Sequence, residues 1–295
     1  MIDQDQLVGE IEDELWEIPT VDAHEHLPAE KEHIQGKADF YHLFEHYCQG
    51  DLVAAGATQE DLEFLSDRDR PLEERWQKFR PLFRAIRTGA YARSALLAMR
   101  DLLGVEELNG DSYVKVGEQL ESLRAEGEYD FVLREKCNIA ACIDCWQLEA
   151  ELPDYFFHLA PGPQLIDLFS KSTLDELGAE CGISVHSLDD LLDCMDCMMG
   201  EWDNNPKVVG IKLGHAYQRT LNFRKVGRAE AENVFNKILT NETHALSNHE
   251  ALPLQDYLVF QMVGRASEID LPIVIHTGHL LMHDNPNRFY DLGLR

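Results

Sequence analysis

Three histidines stand at the ends of apolar segments that the sequence predicts to be buried strands. His24 and His26 close the segment 20–26, and His276 closes a second such segment. Because side chains two residues apart on a strand share a face, His24 and His26 project together while Glu25 points away. Imidazole binds zinc, iron, nickel and copper, and three protein ligands leave a position open for water. The spacing therefore predicts that His24, His26 and His276 hold one divalent metal ion.

One segment of this strongly acidic chain is basic. The formal net charge is −28, yet residues 204–229 contain six lysines and arginines and no acidic residue. Lys212 lies in this segment on the same predicted strand face as Gly210, and an interior lysine is costly unless it is paired or modified. We predict that Lys212 and Arg219 bind a small anionic substrate, through a point charge and a guanidinium fork respectively.

Other interpretations of these residues stay open. Lys212 could be carboxylated and bridge two metal ions, or it could be a structural lysine whose amine reaches toward solvent. The basic segment as a whole could be a solvated surface. His279, which follows His276 in a polar segment, is assigned to substrate binding, with a solvated side chain as the alternative.

The composition excludes several classes of partner. A net charge of −28 disfavours nucleic acids and anionic membranes, because both are bound through lysine and arginine. No segment reaches the roughly 18 apolar residues of a membrane span, and residues 1–14 lack the basic and apolar order of a signal peptide. We therefore expect a cytoplasmic protein, and its oligomeric state, including a homo-oligomer, stays open.

The seven cysteines are an odd number, which favours reduced thiols over a disulfide framework. Cys142 and Cys145 lie three apart in a predicted strand, and Cys194 and Cys197 lie three apart in a predicted helix. The gap between the two pairs is far longer than in a compact zinc ribbon, so packing is the favoured role. Metal binding or redox chemistry is the alternative.

The apolar pattern predicts strands that alternate with helices, which is typical of a parallel sheet covered by helices. Residues 28–136 are predicted to be an α-helical insert, because their apolar residues recur at helical spacing. The predicted strands are 20–26, 138–144, 164–169 (the weakest), 207–213 and 271–276. The clearest predicted helices are 73–86, 90–103, 114–123 and 187–199. No repeat or linker marks a second domain, so the chain is expected to form one domain, 1–295, with its sheet built from 1–27 and 137–295.

The sequence around the histidines resembles the metal-dependent amidohydrolase superfamily. The segment Val-Asp-Ala-His24-Glu-His26 is similar to the signature of its first strand, and Ile-His276-Thr-Gly is similar to its fifth-strand ligand. Residues 254–292 and 209–213 resemble the amidohydrolase-related branch found in nodulin-like proteins. The helical insert, notably residues 41–56, resembles that of uronate isomerases in the same superfamily.

This resemblance implies a (β/α)8 TIM-barrel fold with a mononuclear metal site, most often zinc. It implies hydrolysis of a C–N or C–O bond in a small carboxylate-bearing substrate by metal-activated water. The uronate isomerase branch implies instead an aldose–ketose isomerisation, in which a proton moves between C1 and C2 of a sugar acid. Metal-dependent decarboxylation, and a non-catalytic homologue that binds a ligand or partner, are further alternatives.

The chain departs from the superfamily near its C-terminal end. Members carry an essential Asp at the end of the eighth strand, and many carry a further His on the sixth, but only 19 residues follow His276. At roughly 31 residues per barrel unit, the chain outside the insert supplies about five βα units. No catalytic residue is therefore assigned. Residues 1–295 are expected to be a fragment with strands 1 and 5 as open edges, poorly soluble or domain-swapped on its own.

Overall fold

The computed structural model describes residues 4–145, 148, 151–241 and 244–277, and these divide into two compact units. The helical unit takes the described residues of 1–20 and 27–139, and the sheet unit takes those of 21–26 and 140–295. Residues 1–20, which the sequence analysis grouped with the sheet, belong to the helical unit. The organisation as a single domain stays a prediction. None of the described helices is both long enough and apolar enough to cross a membrane.

The helical unit is built from α-helices of 4 to 15 residues. They are α1 (Gln4–Trp16), α2 (Glu30–His33), α3 (Tyr47–Ala54), α4 (Gln59–Ser66), α5 (Leu72–Ile86), α6 (Ala90–Leu103) and α7 (Tyr113–Leu123). A 3₁₀ helix, Phe40–Phe44, lies between α2 and α3, and a π-helix, Asp130–Lys136, follows α7. The helices predicted at 73–86, 90–103 and 114–123 are confirmed to within one residue at each end.

Aromatic side chains form the core of the helical unit. Phe40 packs edge-on against Trp76 with ring centroids 5.3 Å apart, and Trp76 stacks on Tyr113 at 5.0 Å. Phe79 is fully buried among them. Such pairs contribute about 0.5–1.5 kcal/mol each beyond the area they bury, so this cluster is a main source of the unit's stability.

A buried ion pair lies beside that core. Arg75 is 1% exposed, and its Nη1 lies 2.5 Å from Oδ2 of Asp39. Asp39 also caps the Phe40–Phe44 helix by accepting a hydrogen bond from the backbone N–H of Tyr41. The ion pair therefore anchors the start of the segment 41–56, which resembles the uronate isomerase insert.

Five strands form the sheet: β1 (Thr20–Glu25), β2 (Ile139–Cys145), β3 (Phe156–Pro161), β4 (Val208–Leu213) and β5 (Ile273–Ile275). They lie side by side in chain order, and β2 to β5 are parallel. This curled half-barrel confirms the predicted α/β fold with about five βα units of TIM-barrel type. β1 and β5 are the outer strands of the described sheet, as expected.

The strand predicted at 164–169 is wrong. The third strand is β3, in which His158 pairs with Asp144 of β2. Residues Gly162–Leu165 form a 3₁₀ turn instead. Pro163 has no N–H to donate to a strand ladder, while the polar His158 interrupts the apolar run that would have indicated β3. The apolar side chains after the turn are buried in a loop, and burial alone does not specify a strand.

Four helices pack with the strands in one core: α8 (Lys171–Cys181), α9 (Leu188–Asn204), α10 (Arg228–Thr240) and α11 (Asn248–Glu268). The helix predicted at 187–199 is confirmed as α9. Its Ser187 cap accepts a hydrogen bond from Asp190 N–H, and the Asp190 carboxylate accepts one from Ser187 N–H. Met195 of α9 and Ile211 of β4 are buried in the same core. The helices thereby hold the strands in place from one side.

The two places where the chain leaves the helical unit, after Thr20 and after Ile139, lie close together. The Thr20 N–H donates a hydrogen bond of 2.9 Å to the Asn138 carbonyl, and Asn138 Nδ2 donates one of 2.9 Å to the Trp16 carbonyl. Asn138 has a φ of 51°, in the left-handed region that Asn tolerates better than most residues. Since β1 begins at Thr20 and β2 at Ile139, both strands start from this point.

Candidate metal centre

His24 in β1 and His26 directly after it meet as their spacing predicted. The Nε2 atoms of His24 and His26 lie 2.9 Å apart, and the rings make an angle of 63° with centroids 4.9 Å apart. Two nitrogens bound to one zinc at about 2.0–2.1 Å stand roughly 3 Å from each other. The geometry therefore suits two ligands of one ion, while Glu25 points away and accepts a hydrogen bond from His26 N–H.

A third metal-binding atom comes from β2, the strand next to β1. Cys145 is the last residue of β2 and is 2% exposed. Its Sγ, one ring nitrogen of His24 and one ring nitrogen of His26 all lie within 4.8 Å of one another. Two imidazoles and a thiol are a donor set that zinc and other thiophilic ions accept. The sequence analysis missed Cys145 as a partner of the histidines, because it assigned the cysteine pairs to packing and Cys145 lies more than a hundred residues from the histidines in the sequence.

Lys212 of β4 is the buried cation of the site. It is 2% exposed, and its Nζ lies 3.3 Å from both ring nitrogens of His24. Glycine at position 210 of the same strand lets β4 pack closely between its neighbours, because a Cβ there would lie 2.8 Å from Cδ2 of Leu159 and 2.9 Å from the carbonyl oxygen of Pro272. The predicted interior position of Lys212 is thus the observed one.

Burial and neighbouring charges shift the pKa values of several side chains of the site. Burial lowers the pKa of His24, and the neighbouring Lys212 and His26 lower it further. Burial also lowers the pKa of Lys212 from its ordinary value. Burial raises the pKa of Cys145, although the Lys212 amine opposes that shift. A neutral His24 offers a lone pair, which is the form that binds metal.

His276 lies at the end of β5, where its backbone N–H donates to the Leu213 carbonyl at 2.9 Å. Its ring stacks on Tyr217 with centroids 4.3 Å apart. Burial lowers the pKa of His276, and Lys212 lowers it further. Among the described residues, the group of three close donors contains Cys145 and not His276. The role of His276 as a metal ligand stays a prediction.

Arg219 has partners within the sheet unit that account for its charge. Its Nη2 is paired with Oδ1 of the buried Asp256, and its Nη1 donates a hydrogen bond of 2.9 Å to Gln255. Gln255 in turn donates one of 2.8 Å to Asp167. These contacts tie the loop after β4 to α11, which favours a structural role and works against the predicted contact with an anion. His279 lies outside the described residues.

Other basic residues of the segment 204–229 are paired in the same way. Arg228 lies 2.7 Å from Asp189, and Arg224 lies 3.4 Å from Asp256. The basic segment thus balances acidic side chains of neighbouring helices. Lys212 differs from them, because its described neighbours are the groups of the candidate metal centre.

Comparison with known proteins was made by sequence and by structure. No family model and no curated protein matches the sequence. A uronate isomerase structure from Thermotoga maritima matches 94% of this chain and 64% of its own, with a TM-score of 0.64 and 15% identity. This chain has the uronate isomerase fold. A second uronate isomerase, from Bacillus halodurans, matches with a TM-score of 0.59, 11% identity and coverages of 93% and 60%.

The predicted likeness to uronate isomerases is confirmed for the fold. The chain spans just under two thirds of the length of these two isomerases. A Lactobacillus casei protein described as a metal-dependent hydrolase matches with a TM-score of 0.48 and 13% identity, covering 96% of this chain and 67% of its own. That likeness is too weak to support an argument about activity.

Proposed function

We propose that the protein is a metal-dependent enzyme acting on a small carboxylate-bearing substrate, with aldose–ketose isomerisation of a sugar acid as the leading reaction. The observation that carries this proposal is the buried Lys212 amine, 3.3 Å from a histidine that itself faces a second histidine at 2.9 Å. The isomerase reaction is preferred because the two uronate isomerase structures share the fold.

The residues of the site have separate tasks in this proposal. A divalent ion held by the histidines, zinc first, would supply a Lewis acid that polarises a substrate oxygen. His24 stays neutral near pH 7 because burial and Lys212 lower its pKa. Lys212 binds the substrate carboxylate. That anion offsets the cost of burying the ammonium group, which otherwise lowers its pKa.

Hydrolysis of a C–N or C–O bond is the second candidate. It is supported by the small number of protein donors around His24 and His26, since a metal with three protein ligands keeps a position for water. Lys212 would again bind the carboxylate of the substrate. The two reactions differ in their products, so one assay separates them.

The test is to load the purified protein with zinc and to incubate it with hexuronates and with carboxylate-bearing amides and lactones. Proton NMR in D2O detects isomerisation as loss of the aldose signals with deuterium entering at C1 of the ketose, and it detects hydrolysis as the signals of the cleaved amide or lactone. Isomerisation supports the leading reaction, and hydrolysis alone supports the second. Stoichiometric metal with no turnover of either panel would contradict the proposal.

A lysine variant tests the assignment of the carboxylate contact. We expect Lys212→Met to raise KM by about 10- to 100-fold, since a hydrogen bond to a charged group is worth about 1.5–3 kcal/mol. Lys207→Met is the matched control, because Lys207 directly precedes β4 but its Nζ donates to the Asp154 carbonyl at the surface. Equal KM values for both variants and the wild type would refute the role of Lys212.

A further inference from the structure

We propose that Cys145 is a metal ligand, so that its thiolate completes a two-histidine, one-cysteine site with His24 and His26. The inference rests on the proposed function only in that both require a metal at this place. The thiolate of Cys145 adds a soft sulfur donor from β2 to the nitrogens of His24 and His26. This sulfur gives the site a preference for thiophilic ions.

The position of Cys145 singles it out from the other buried cysteine of its strand. Cys142 is fully buried on β2, but residues three apart on a strand point to opposite faces. Among the cysteines that the structure describes, Cys145 is the one whose sulfur lies within 4.8 Å of a ring nitrogen of His24 and of His26. A cysteine that served packing alone could occupy either face, whereas this one faces two imidazoles.

Charge balance also favours a thiolate at this site. Lys212 is 2% exposed and lies 3.3 Å from His24, so an ion bound by neutral ligands alone would place a second positive charge close to the Lys212 ammonium group. A thiolate cancels one unit of that charge. On binding, the thiol proton leaves to solvent, the S–H bond is replaced by a metal–sulfur bond, and no electron is transferred.

The donor set predicts which metals the site accepts. Thiolate ligands select zinc and similar ions, whereas magnesium, calcium and manganese prefer oxygen donors. His276 stays available for a further position, since the Cys145 group does not include it. The site should therefore bind zinc and cobalt strongly and manganese weakly.

Cobalt spectroscopy of the chelator-treated protein tests the inference without reference to turnover. The wild type and the Cys142→Ser control should develop a near-ultraviolet thiolate-to-cobalt charge-transfer band that saturates at one equivalent. Cys145→Ser should lack the band and bind cobalt at least about tenfold more weakly, the lower end of the effect of changing even an outer partner of a metal. A pH indicator should also record one proton fewer released per cobalt.

X-ray absorption of the zinc-loaded wild type gives a second measurement that no folding defect of a variant can affect. One sulfur at about 2.3 Å is expected. A shell of nitrogen and oxygen alone, or a charge-transfer band that persists in Cys145→Ser, would overturn the proposal. A sulfur-bound zinc in a protein that turns over neither substrate panel would support Cys145 as a ligand and refute the proposed function. Turnover with no sulfur ligand would do the reverse.

Discussion

Replacing Arg75 by methionine should destabilise the helical unit strongly, because it leaves the buried carboxylate of Asp39 without its main ion-pair partner. Arg75 and Asp39 are 1% and 8% exposed, and they form the ion pair that anchors the Phe40–Phe44 helix. Methionine keeps most of the apolar volume of arginine but none of its donors. The variant therefore tests whether this pair holds the segment that resembles the uronate isomerase insert.

The expected loss follows from the contacts that disappear. Arg75 donates to Asp39 at 2.5 and 3.2 Å and to the Leu65 carbonyl at 2.8 Å. Removing one partner of a buried ion pair costs about 3–5 kcal/mol. Asp39 keeps the Tyr41 N–H at 2.9 Å and Arg68 at 3.4 Å, so the lower end of that range applies. We expect the free energy of unfolding to fall by about 3 kcal/mol.

Urea unfolding followed by tryptophan fluorescence and far-ultraviolet circular dichroism measures this loss. Arg80→Met, an exposed change on the same helix, is the control and should stay within about 0.5 kcal/mol of the wild type. In the background of Asp39→Asn, which removes the charge but keeps a capping side chain, Arg75→Met should cost much less. A loss under about 1 kcal/mol for Arg75→Met, or an equal loss in both backgrounds, would refute the reasoning.

Two further predictions concern pH and packing. Burial lowers the pKa of His42 to about 4, so the unfolded chain binds a proton below pH 6.5 that the folded chain resists. We therefore expect the free energy of unfolding to fall between pH 7 and pH 5 by about 1 kcal/mol more in the wild type than in His42→Gln, a value that allows for a side chain about a third exposed. An equal change of the urea midpoint with pH in the two proteins would contradict this. Gly210→Ala should cost about 1–3 kcal/mol in thermal unfolding, because its Cβ would lie 2.8 Å from Leu159 and 2.9 Å from Pro272 O. Gly200→Ala in α9 is the control and should be neutral or stabilising, because no atom lies within 4 Å of the added Cβ. A similar loss of thermal stability in both variants would exclude crowding as the cause.

Local signals in the sequence were sufficient for most of the elements. α6 is predicted to the residue, because its apolar spacing runs up to a glycine, Gly104, that adopts the left-handed conformation at the helix end. β1, β2 and β4 are predicted within about one residue, since each is a short apolar run. β3 could not be predicted from the same signal, because His158 sits inside it and is buried against its neighbours rather than exposed.

The candidate site was predictable only where its residues are close in sequence. His24 and His26 follow from the alternation of side chains along one strand. Cys145 is brought to them by the pairing of β2 with β1, across a long helical segment, and no local pattern encodes that pairing. The neutralisation of Arg219 by Asp256 is likewise a contact between distant segments. The clustering of basic residues predicted that Arg219 contacts an anionic ligand, whereas the fold places the carboxylate of Asp256 beside it.

The closeness of the two places where the chain leaves the helical unit has a consequence for the order of folding. β1 and β2 are neighbours, yet residues 27–139 intervene, and closing a flexible loop of that length costs about 4 kcal/mol of chain entropy. If the helical unit folds first, its Thr20–Asn138 hydrogen bond already holds the two ends together. β1 and β2 then start side by side from an already folded helical unit, so their pairing no longer requires the closure of a long flexible loop. Cys145 lies more than a hundred residues from His24 and His26 in the sequence, yet it would meet them without that entropic cost. Folding of the inserted helices would in this way promote formation of the metal centre.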